Sequence, residues 1–354
     1  TDTQWWEIDY APILPSDNFN TVLYTGNGST QAITGTGFEP DLVWIKERSS
    51  GSSHNIADVV RGSTNYLSSN LTNAQNNLAS TISSFDSNGF SVGNDGGVNQ
   101  SAQTYVAWNW KAGGAAVSNP NGTLTSTISA NVDAGFSIVK YTGNNSSSAT
   151  IGHGLGKMPA MVMTKMSEQS GGASSTSQWM IYHKDLTGNV SGDNPYNLYF
   201  STNAELDLIA FGAYDNITTD VIPVTRTSAS TAHNNNNLST YVAYCFAEIA
   251  GYSKIGSYTG NGSATGPIIT LGFEPAFVMV KNTTGTGLWL MSDNKRQTAA
   301  TKTTYLQAQS NAAEYSPYTW IEYLSNGFQL KNTGSSLNTN GSTYIYMAFA
   351  TNPT

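Results

Sequence analysis

The stretch that decides the fold is Gly37-Phe38-Glu39-Pro40-Asp41-Leu42-Val43-Trp44-Ile45-Lys46. The same pattern, a Gly-X-X-Pro turn followed by an apolar run that ends in Lys, recurs at residues 156–165 and 272–281. Proline cannot donate a hydrogen bond to a sheet, so it marks the first residue of a strand rather than its middle. The pattern therefore predicts the same β-strand at three places along the chain.

Two other phrases indicate that a whole unit is repeated. Tyr-Thr-Gly-Asn begins at Tyr24, Tyr141 and Tyr258, which places the copies 117 residues apart (141 − 24 and 258 − 141). Each unit closes with a Thr-Tyr strand, which begins at residues 104, 240 and 343 and has large apolar residues at alternate positions. This alternation is typical of a strand with one face in a core.

Many short strands separated by turns predict an all-β fold of three tandem β-sandwich domains (jelly-roll or concanavalin-like) with a short N-terminal arm. The predicted division is an arm at 1–19, repeat 1 at 20–113, a linker at 114–134, repeat 2 at 135–250 and repeat 3 at 251–354. A unit of this length can form its own core. We therefore expect three beads, each with a separate core.

The junctions between the repeats differ. The Gly, Pro and Asn residues of 111–122 predict a flexible connector between the first and second repeats. The second and third repeats have almost no linker, which predicts a rigid pair. The arm contains Trp5 and Trp6, and we expect it to dock on a neighbour.

The composition excludes several classes of function. Charged residues make up 11% of the chain, against about 25% in an average soluble domain, and Asn, Ser, Thr and Gly take their place. The net charge of −8 cannot supply the positive field that nucleic acids require, so no nucleic-acid partner is expected. No apolar run reaches the roughly 20 residues of a membrane helix, so no membrane insertion is expected.

The residues that usually carry metal or thiol chemistry show no suitable pattern. The histidines His54, His153, His183 and His233 lack metal-ligand spacing, and we interpret them as surface or half-buried side chains. Cys245 lies in an apolar run and is expected to be a small buried side chain. We therefore expect no cofactor and no metal.

A calcium site remains an alternative. Residues 94–97 (Asn-Asp-Gly-Gly) and the pair Asp193-Asn194 could supply oxygen ligands. Isolated Asp-Gly pairs are usually turns, and a turn is the interpretation that we prefer.

Carboxylates at corresponding places raise the question of catalysis. Asp58, Asp185 and Asp293 lie in corresponding strands of the three copies, and paired carboxylates can hydrolyse glycosides. Their recurrence with a structural repeat favours a role in a turn or at a strand end. No nucleophile elbow is present. We expect a protein that is not an enzyme, with a polysaccharide-cleaving enzyme as a distant alternative.

Two tryptophans are candidates for sugar stacking. Trp108 and Trp110 are two residues apart in a predicted strand, so they face the same way. They could form a platform for sugars or belong to the core. The core is favoured because the corresponding residues in the other copies are also apolar: Tyr244, Phe246, Met347 and Phe349.

The repeated phrases resemble a known family. Residues 24–28, 37–46, 84–90 and 105–113 are similar to a domain of uncharacterised function that recurs in tailed bacteriophages, especially marine ones, in proteins labelled tail fibre or virion structural protein. The resemblance covers nearly the whole chain and implies a virion component without catalytic residues. Longer members carry a further, often lectin-like domain where this chain has only its arm.

The resemblance and the composition together predict a structural protein on the virion surface, in a tail fibre or appendage, that displays β-sandwich domains for adhesion to host glycans. Neutral polar loops and tyrosine faces suit neutral sugars. The expected partners are other virion proteins of capsid or tail, host-surface glycans and further copies of the chain, with a trimer as one form. A capsid decoration or self-assembling structural protein without a ligand is the alternative.

Overall fold

A computed structural model describes residues 14–169, 177–186, 198–200, 216–224, 234–316 and 318–351. Over these residues the chain is all-β, as the repeated pattern predicts. Helical structure is limited there to a 3-10 turn at Pro15–Asp17 and a single α-helical turn, α1, at Gly96–Asn99. None of the described helices is long and apolar enough to cross a membrane.

The first repeat consists of two antiparallel sheets. Its strands are β1 (Phe19–Thr25), β2 (Gln31–Thr34), β3 (Leu42–Glu47), β4 (Asn55–Asp58), β5 (Asn65–Leu67), β6 (Asn76–Asn77), β7 (Ile82–Asp86), β8 (Gly89–Val92) and β9 (Thr104–Trp110). The larger sheet has the order β1-β9-β3-β4-β5-β6, and the smaller has the order β2-β8-β7. The strand predicted from the Gly-X-X-Pro pattern is β3, next to the centre of the larger sheet.

The second repeat keeps this plan and adds two strands. Its strands are β10 (Val117–Asn119), β11 (Ser126–Asn131), β12 (Phe136–Thr142), β13 (Ala149–Gly152), β14 (Met161–Glu168), β15 (Met180–His183), β16 (Leu198–Tyr199), β17 (Val221–Val224) and β18 (Thr240–Phe246). The larger sheet has the order β10-β11-β12-β18-β14-β15-β16, and β13 pairs with β17.

The predicted linker at 114–134 is therefore wrong. Its residues form β10 and β11, which pair in turn with the edge of β12. An unpaired edge strand presents free N–H and C=O groups, and these two strands satisfy them. Packing at the junction is also close, because a Cβ placed on Gly113 would lie 2.5 Å from Ala130 O. The Gly, Pro and Asn residues form turns of this sheet, not a flexible connector.

The third repeat repeats the plan again. Its strands are β19 (Ser253–Thr259), β20 (Ile268–Thr270), β21 (Pro275–Asn282), β22 (Leu290–Asp293), β23 (Thr301–Lys302), β24 (Leu306–Gln307), β25 (Ile321–Leu324), β26 (Gly327–Leu330) and β27 (Thr343–Ala350). The larger sheet has the order β19-β27-β21-β22-β24, and the smaller has the order β20-β26-β25-β23. In every larger sheet the closing Thr-Tyr strand lies between the opening strand and the Gly-X-X-Pro strand.

The apolar side chains form four clusters. Three of them lie between the two sheets of a single repeat. The fourth is a central core to which all three repeats contribute. Strand β9 shows why: Tyr105 and Ala107 face the core of the first repeat, whereas Val106, Trp108 and Trp110 face the central core. A sheet with two apolar faces must bury both. Each repeat has a core of its own, as expected, but the shared central core shows that the repeats are not separate beads.

Three equivalent rings meet in the central core. Trp110, Phe246 and Phe349 occupy the same position in β9, β18 and β27. Their ring centroids are 6.3 Å apart for Trp110 and Phe246, 5.7 Å for Trp110 and Phe349, and 6.0 Å for Phe246 and Phe349. All three repeats therefore pack against one another, not only the second and third. Phe19 of β1 joins this cluster and stacks on Phe349 at 5.0 Å.

The Tyr-Thr-Gly-Asn phrase ends the opening strand of each repeat and begins a turn that packs against a facing loop. In the first repeat Asn27 N donates to Asn99 Oδ1 at 2.9 Å, and Tyr24 stacks on Tyr105 at 5.0 Å. A Cβ on Gly26 would lie 2.2 Å from a backbone oxygen of the facing loop, so only glycine fits. The same contacts recur around Gly143 and Gly260. The phrase is thus repeated because it joins the end of the opening strand to the loop that precedes the Thr-Tyr strand.

Part of the predicted arm can be placed. Residues 1–13, which include Trp5 and Trp6, lie outside the described residues. The docking expected for them stays a prediction. The described remainder forms the turn at Pro15–Asp17 and leads directly into β1 of the first repeat.

Candidate functional site

Each repeat contacts another through an aromatic N–H donor that directly precedes the strand next to its Gly-X-X-Pro strand (β4, β15 or β22). The acceptor is a backbone carbonyl at the end of the next strand of the neighbouring repeat. The three contacts are Trp179 Nε1 to Ser68 O (2.9 Å), Trp289 Nε1 to Tyr199 O (2.9 Å) and His54 Nε2 to Gln307 O (3.0 Å). Because each contact joins a different pair of repeats, together they close a ring of three.

His54 makes the contact between repeats that a tryptophan makes in the other two copies. Trp44 Nε1 donates to His54 Nδ1 at 2.8 Å, which places the imidazole proton on Nε2, facing Gln307 O. Burial and the nearby charge of Lys46 lower the pKa of His54 to about 3, so the ring is neutral. The prediction of a surface or half-buried histidine is wrong here, because the side chain fills a tryptophan position between repeats.

A second contact between repeats involves a buried ion pair. Asp58 Oδ2 accepts hydrogen bonds from Arg61 Nε at 2.6 Å and from the Tyr244 hydroxyl of the second repeat at 2.8 Å. The side chains of Asp58 and Arg61 are fully buried. Asp58 Oδ1 accepts from Arg61 N, so the carboxylate also forms the turn after β4. Burial raises the pKa of Tyr244 well above its usual range, which keeps its hydroxyl a donor.

The third repeat contains the same arrangement. Arg296 Nε donates to Asp293 Oδ2 at 2.6 Å, and Trp108 Nε1 of the first repeat donates to the same oxygen at 3.1 Å. The Arg296 guanidinium also lies 5.6 Å from the ring centroid of Trp108. Trp108 is fully buried, and Trp110 is 1% exposed. Both belong to the central core, so the alternative of a sugar-stacking platform at these residues is wrong.

Asp185 does not hold the corresponding place in the second repeat. The strand register pairs Leu42 with Asp58 and Met161 with His183, so His183 is the equivalent residue. Its Nδ1 accepts from Asp185 N at 3.1 Å, and its Nε2 lies 3.3 Å from Tyr346 O of the third repeat. Burial lowers the pKa of His183 to about 4. A neutral imidazole thus replaces the carboxylate.

The remaining histidines and the cysteine have local roles. His153, like His183, is buried, so the prediction of a surface or half-buried side chain is wrong for both. His153 Nδ1 accepts from Leu155 N at 3.2 Å within a turn. His233 lies outside the described residues. Cys245 is buried, as expected, in the core between the two sheets of the second repeat. Burial raises the pKa of its thiol to about 12.

The lysine that ends the repeated apolar run is buried in every copy: Lys46, Lys165 and Lys281. Lys165 Nζ donates to Thr72 O of the first repeat at 2.7 Å, so this lysine also joins two repeats. Burial lowers the pKa of Lys46 to about 8 and that of Lys165 to about 7. Lys46 Nζ donates to Glu47 O and Lys281 Nζ to Gly287 O, so backbone carbonyls satisfy the buried amine in each copy.

The calcium alternative receives no support from residues 94–97. Asp95 Oδ1 accepts from Gly97 N at 2.8 Å and caps α1, so the sequence forms a turn. Across the part of the chain that the structure describes, no group of three or more His, Cys, Asp or Glu residues could hold a metal ion. Asp193 and Asn194 lie outside that part.

A polar pocket on the first repeat is the candidate functional site. It has a volume of about 270 Å³ and lies among β4, β5, β6 and α1, with Asn55, Tyr66, Asn76, Asp95 and Gly97 in its lining. A larger groove of about 690 Å³ between the first and second repeats is lined by Glu39, Asp41, Asp133 and Lys111 and contains no aromatic side chain.

Two oxygen atoms of this first-repeat pocket have no hydrogen-bond donor among the described residues. Asn55 is 4% exposed, and its Nδ2 makes only long hydrogen bonds of 3.4 Å to Ser53 O and Gly97 O. Its Oδ1 accepts no hydrogen bond from the described residues, and neither does Asp95 Oδ2. Tyr66 packs on the core between the two sheets of the first repeat and remains half-exposed at the pocket. Asp95 stood out in the sequence only as part of the calcium alternative at residues 94–97, and no motif marks Asn55 or Tyr66.

Paired sheets in every repeat define an all-β protein of β-sandwich type, held together by a shared aromatic core. The chain belongs to the family described as Domain of unknown function (DUF7483), whose model matches residues 14–353. That single match spans all three repeats. No curated protein matches the chain.

Proposed function

We propose that the protein is a non-enzymatic structural component of a tailed-phage virion surface, in a tail fibre or appendage, and that it adheres to host-surface glycans. The observation that carries the adhesion is the polar pocket on the first repeat, whose lining combines a tyrosine face with amide, hydroxyl and carboxylate groups. Such a lining offers hydrogen bonds to sugar hydroxyls and an apolar face for a sugar ring. The resemblance of the repeated phrases to phage proteins supports the location.

The engagement of the carboxylates supports a role without catalysis. Asp58 and Asp293 are each held by a buried arginine and by a side chain of another repeat. A carboxylate in such a contact is not free to transfer a proton to a substrate. The distant alternative, a polysaccharide-cleaving enzyme, predicts that reducing ends are released from host polysaccharide.

The test of adhesion is a host-glycan array probed with the whole chain. Binding to defined glycans, competed by the free sugar, is the expected result. A flat array, together with no binding to host cells, would overturn the adhesion. Locating the chain by electron microscopy of the intact virion tests the other half, because a fibre or appendage predicts density outside the capsid shell.

A specific observation favours capsid decoration as the second candidate. The three repeats form a closed ring with equivalent contacts between neighbours. A body built in this way presents three similar faces around one axis, which matches a threefold position on a capsid. This candidate predicts stoichiometric binding to purified capsids and no response on the glycan array. It also predicts that the chain is monomeric in solution, whereas a fibre predicts an oligomer of several copies.

A further inference from the structure

We infer that the pocket on the first repeat, formed by β4, β5, β6 and α1, binds one neutral sugar residue. The inference rests on the proposed adhesion to glycans and assigns it to one repeat. Beside this pocket the first repeat departs from the other two at a position inside its sandwich.

That position is Asn55, the first residue of β4. Its counterparts, Met180 and Leu290, are the first residues of β15 and β22, and each belongs to the apolar core between the two sheets of its repeat. An amide in place of an apolar side chain puts a polar group at a position that is core in the other repeats, and here that group lines the pocket. A ligand hydroxyl that donates to Asn55 Oδ1 would satisfy it.

The third repeat shows how the pocket is closed when no ligand is needed. Tyr305 holds the place of Tyr66, but it is only 5% exposed and packs on Trp320 at 5.7 Å. Ser336 holds the place of Gly97, and its Oγ accepts from Leu288 N at 3.1 Å. In the first repeat the tyrosine remains half-exposed, and the glycine leaves the space open.

The lining determines the chemical class of the ligand. Its only ionisable acid or base besides Tyr66 is Asp95, and no Lys, Arg or His lines it. A sialic acid, uronic acid or sulfated sugar would place its negative charge near this carboxylate without a cation to pair it. Hydroxyls of a neutral ring can donate to Asp95 Oδ2 and Asn55 Oδ1, while its C–H face packs on Tyr66.

The size of the pocket limits the ligand to one ring. Its volume of about 270 Å³ falls just below the roughly 300–1,000 Å³ of sites that enclose drug-sized ligands. A single hexose or N-acetylhexosamine fits this space, and further sugars of a glycan chain would extend into solvent. The expected affinity for a free monosaccharide is therefore weak, with a Kd of roughly 1 mM, and is raised by several copies on one surface.

The experiment uses the full chain and saturation-transfer NMR with glucose, galactose, mannose, N-acetylglucosamine and sialic acid as probes, alongside a glycan array. Two variants alter the pocket. Asn55→Leu copies the residue of the third repeat, so the fold is retained while the oxygen is removed. Asp95→Asn keeps the cap of α1 and removes the charge. Tyr318→Ala, an exposed tyrosine of the third repeat, is the matched control.

We expect wild type to bind at least one neutral sugar, both pocket variants to weaken that binding at least tenfold, and the control to leave it unchanged. Neutral-sugar binding that survives Asn55→Leu would overturn the site and leave adhesion intact. Binding of acidic glycans alone would overturn the neutral class while keeping adhesion. Failure to bind any glycan would overturn both this inference and the proposed adhesion.

Discussion

The hydroxyl of Tyr244, in the second repeat, donates a hydrogen bond of 2.8 Å to the Asp58 carboxylate of the first repeat. Arg61 donates to the same oxygen at 2.6 Å, and both charged side chains are excluded from solvent. Water cannot replace a lost partner at such a place, so the loss of a side chain in one repeat should destabilise the neighbouring repeat as well.

Replacing Tyr244 by phenylalanine tests this contact. We expect Tyr244→Phe to lower the free energy of unfolding by about 1–3 kcal/mol, because a buried carboxylate loses a hydrogen-bond donor. Urea denaturation followed by circular dichroism measures the change. Tyr315→Phe, at a tyrosine that is 54% exposed, is the control and should have almost no effect. Equal stabilities of the two variants would contradict the role assigned to the contact.

The histidine in a tryptophan position predicts a dependence on acid. The pKa of His54 is lowered to about 3 in the folded chain from an ordinary value of 6.5. Stability from this residue is therefore present above pH 6.5 and is lost as the pH falls toward 3. At pH 5 the loss from this group is about 2 kcal/mol relative to pH 7.

The double variant Trp44→Met with His54→Trp should remove that dependence. Met163 and Met279 hold the place of Trp44 in the other copies, which have tryptophan where His54 lies. Comparing the unfolding free energies of the variant and wild type at pH 7 and pH 5 isolates the contribution of His54 to the pH dependence. His54→Trp alone leaves Trp44 Nε1 without an acceptor and should be less stable than the pair. An unchanged pH dependence in the double variant would refute the prediction.

The central core predicts that the repeats do not fold separately. Calorimetry of the whole chain should show one transition with equal calorimetric and van't Hoff enthalpies. A fragment of residues 114–250, which keeps β10 and β11, would expose Tyr244 and Phe246 of the central core to water, and we expect it to aggregate or to lack fixed tertiary structure. Three resolved transitions, or a fragment with native-like dispersion in NMR spectra, would favour independent domains instead.

The turn after the opening strand predicts the same loss of stability in each of the three repeats. Alanine at Gly26, Gly143 or Gly260 places a Cβ 2.2–2.3 Å from a backbone oxygen, and each change should cost about 1–3 kcal/mol through forced backbone movement. Gly51 has its nearest such neighbour at 3.6 Å. The control Gly51→Ala should therefore alter stability by less than about 0.5 kcal/mol. Thermal shift measurements suffice, and a Gly26→Ala variant as stable as the control would contradict the steric argument.

The all-β fold could be predicted because its signals are local. The proline at the start of the repeated strand and the Thr-Tyr phrase at the end of each unit both correspond to observed strands. The shared core could not be predicted from alternation alone, since one apolar face accounts for Val106 and Trp108. The signal for a second buried face is that Tyr105 and Ala107, on the opposite face of the same strand, are apolar as well.

The candidate pocket was beyond the sequence for a different reason. Asn55 becomes unusual only when its register with Met180 and Leu290 is known, and the phrase around His54 differs enough from its counterparts to obscure the match. For the same reason Asp185 was aligned with Asp58 although His183 holds that position. Equivalence in space, which the strand register defines, is needed before an exception can be recognised.

Covalent linkage of the three repeats has a consequence for how such a protein can change over generations. In a ring of three separate identical chains, any mutation is imposed on every subunit at once, and a polar residue at a core position would weaken the assembly three times. A single gene that encodes all three members can alter one of them and keep the other two as scaffold. Asn55 in one repeat and apolar Met180 and Leu290 in the others form a combination that a ring of identical chains could not have.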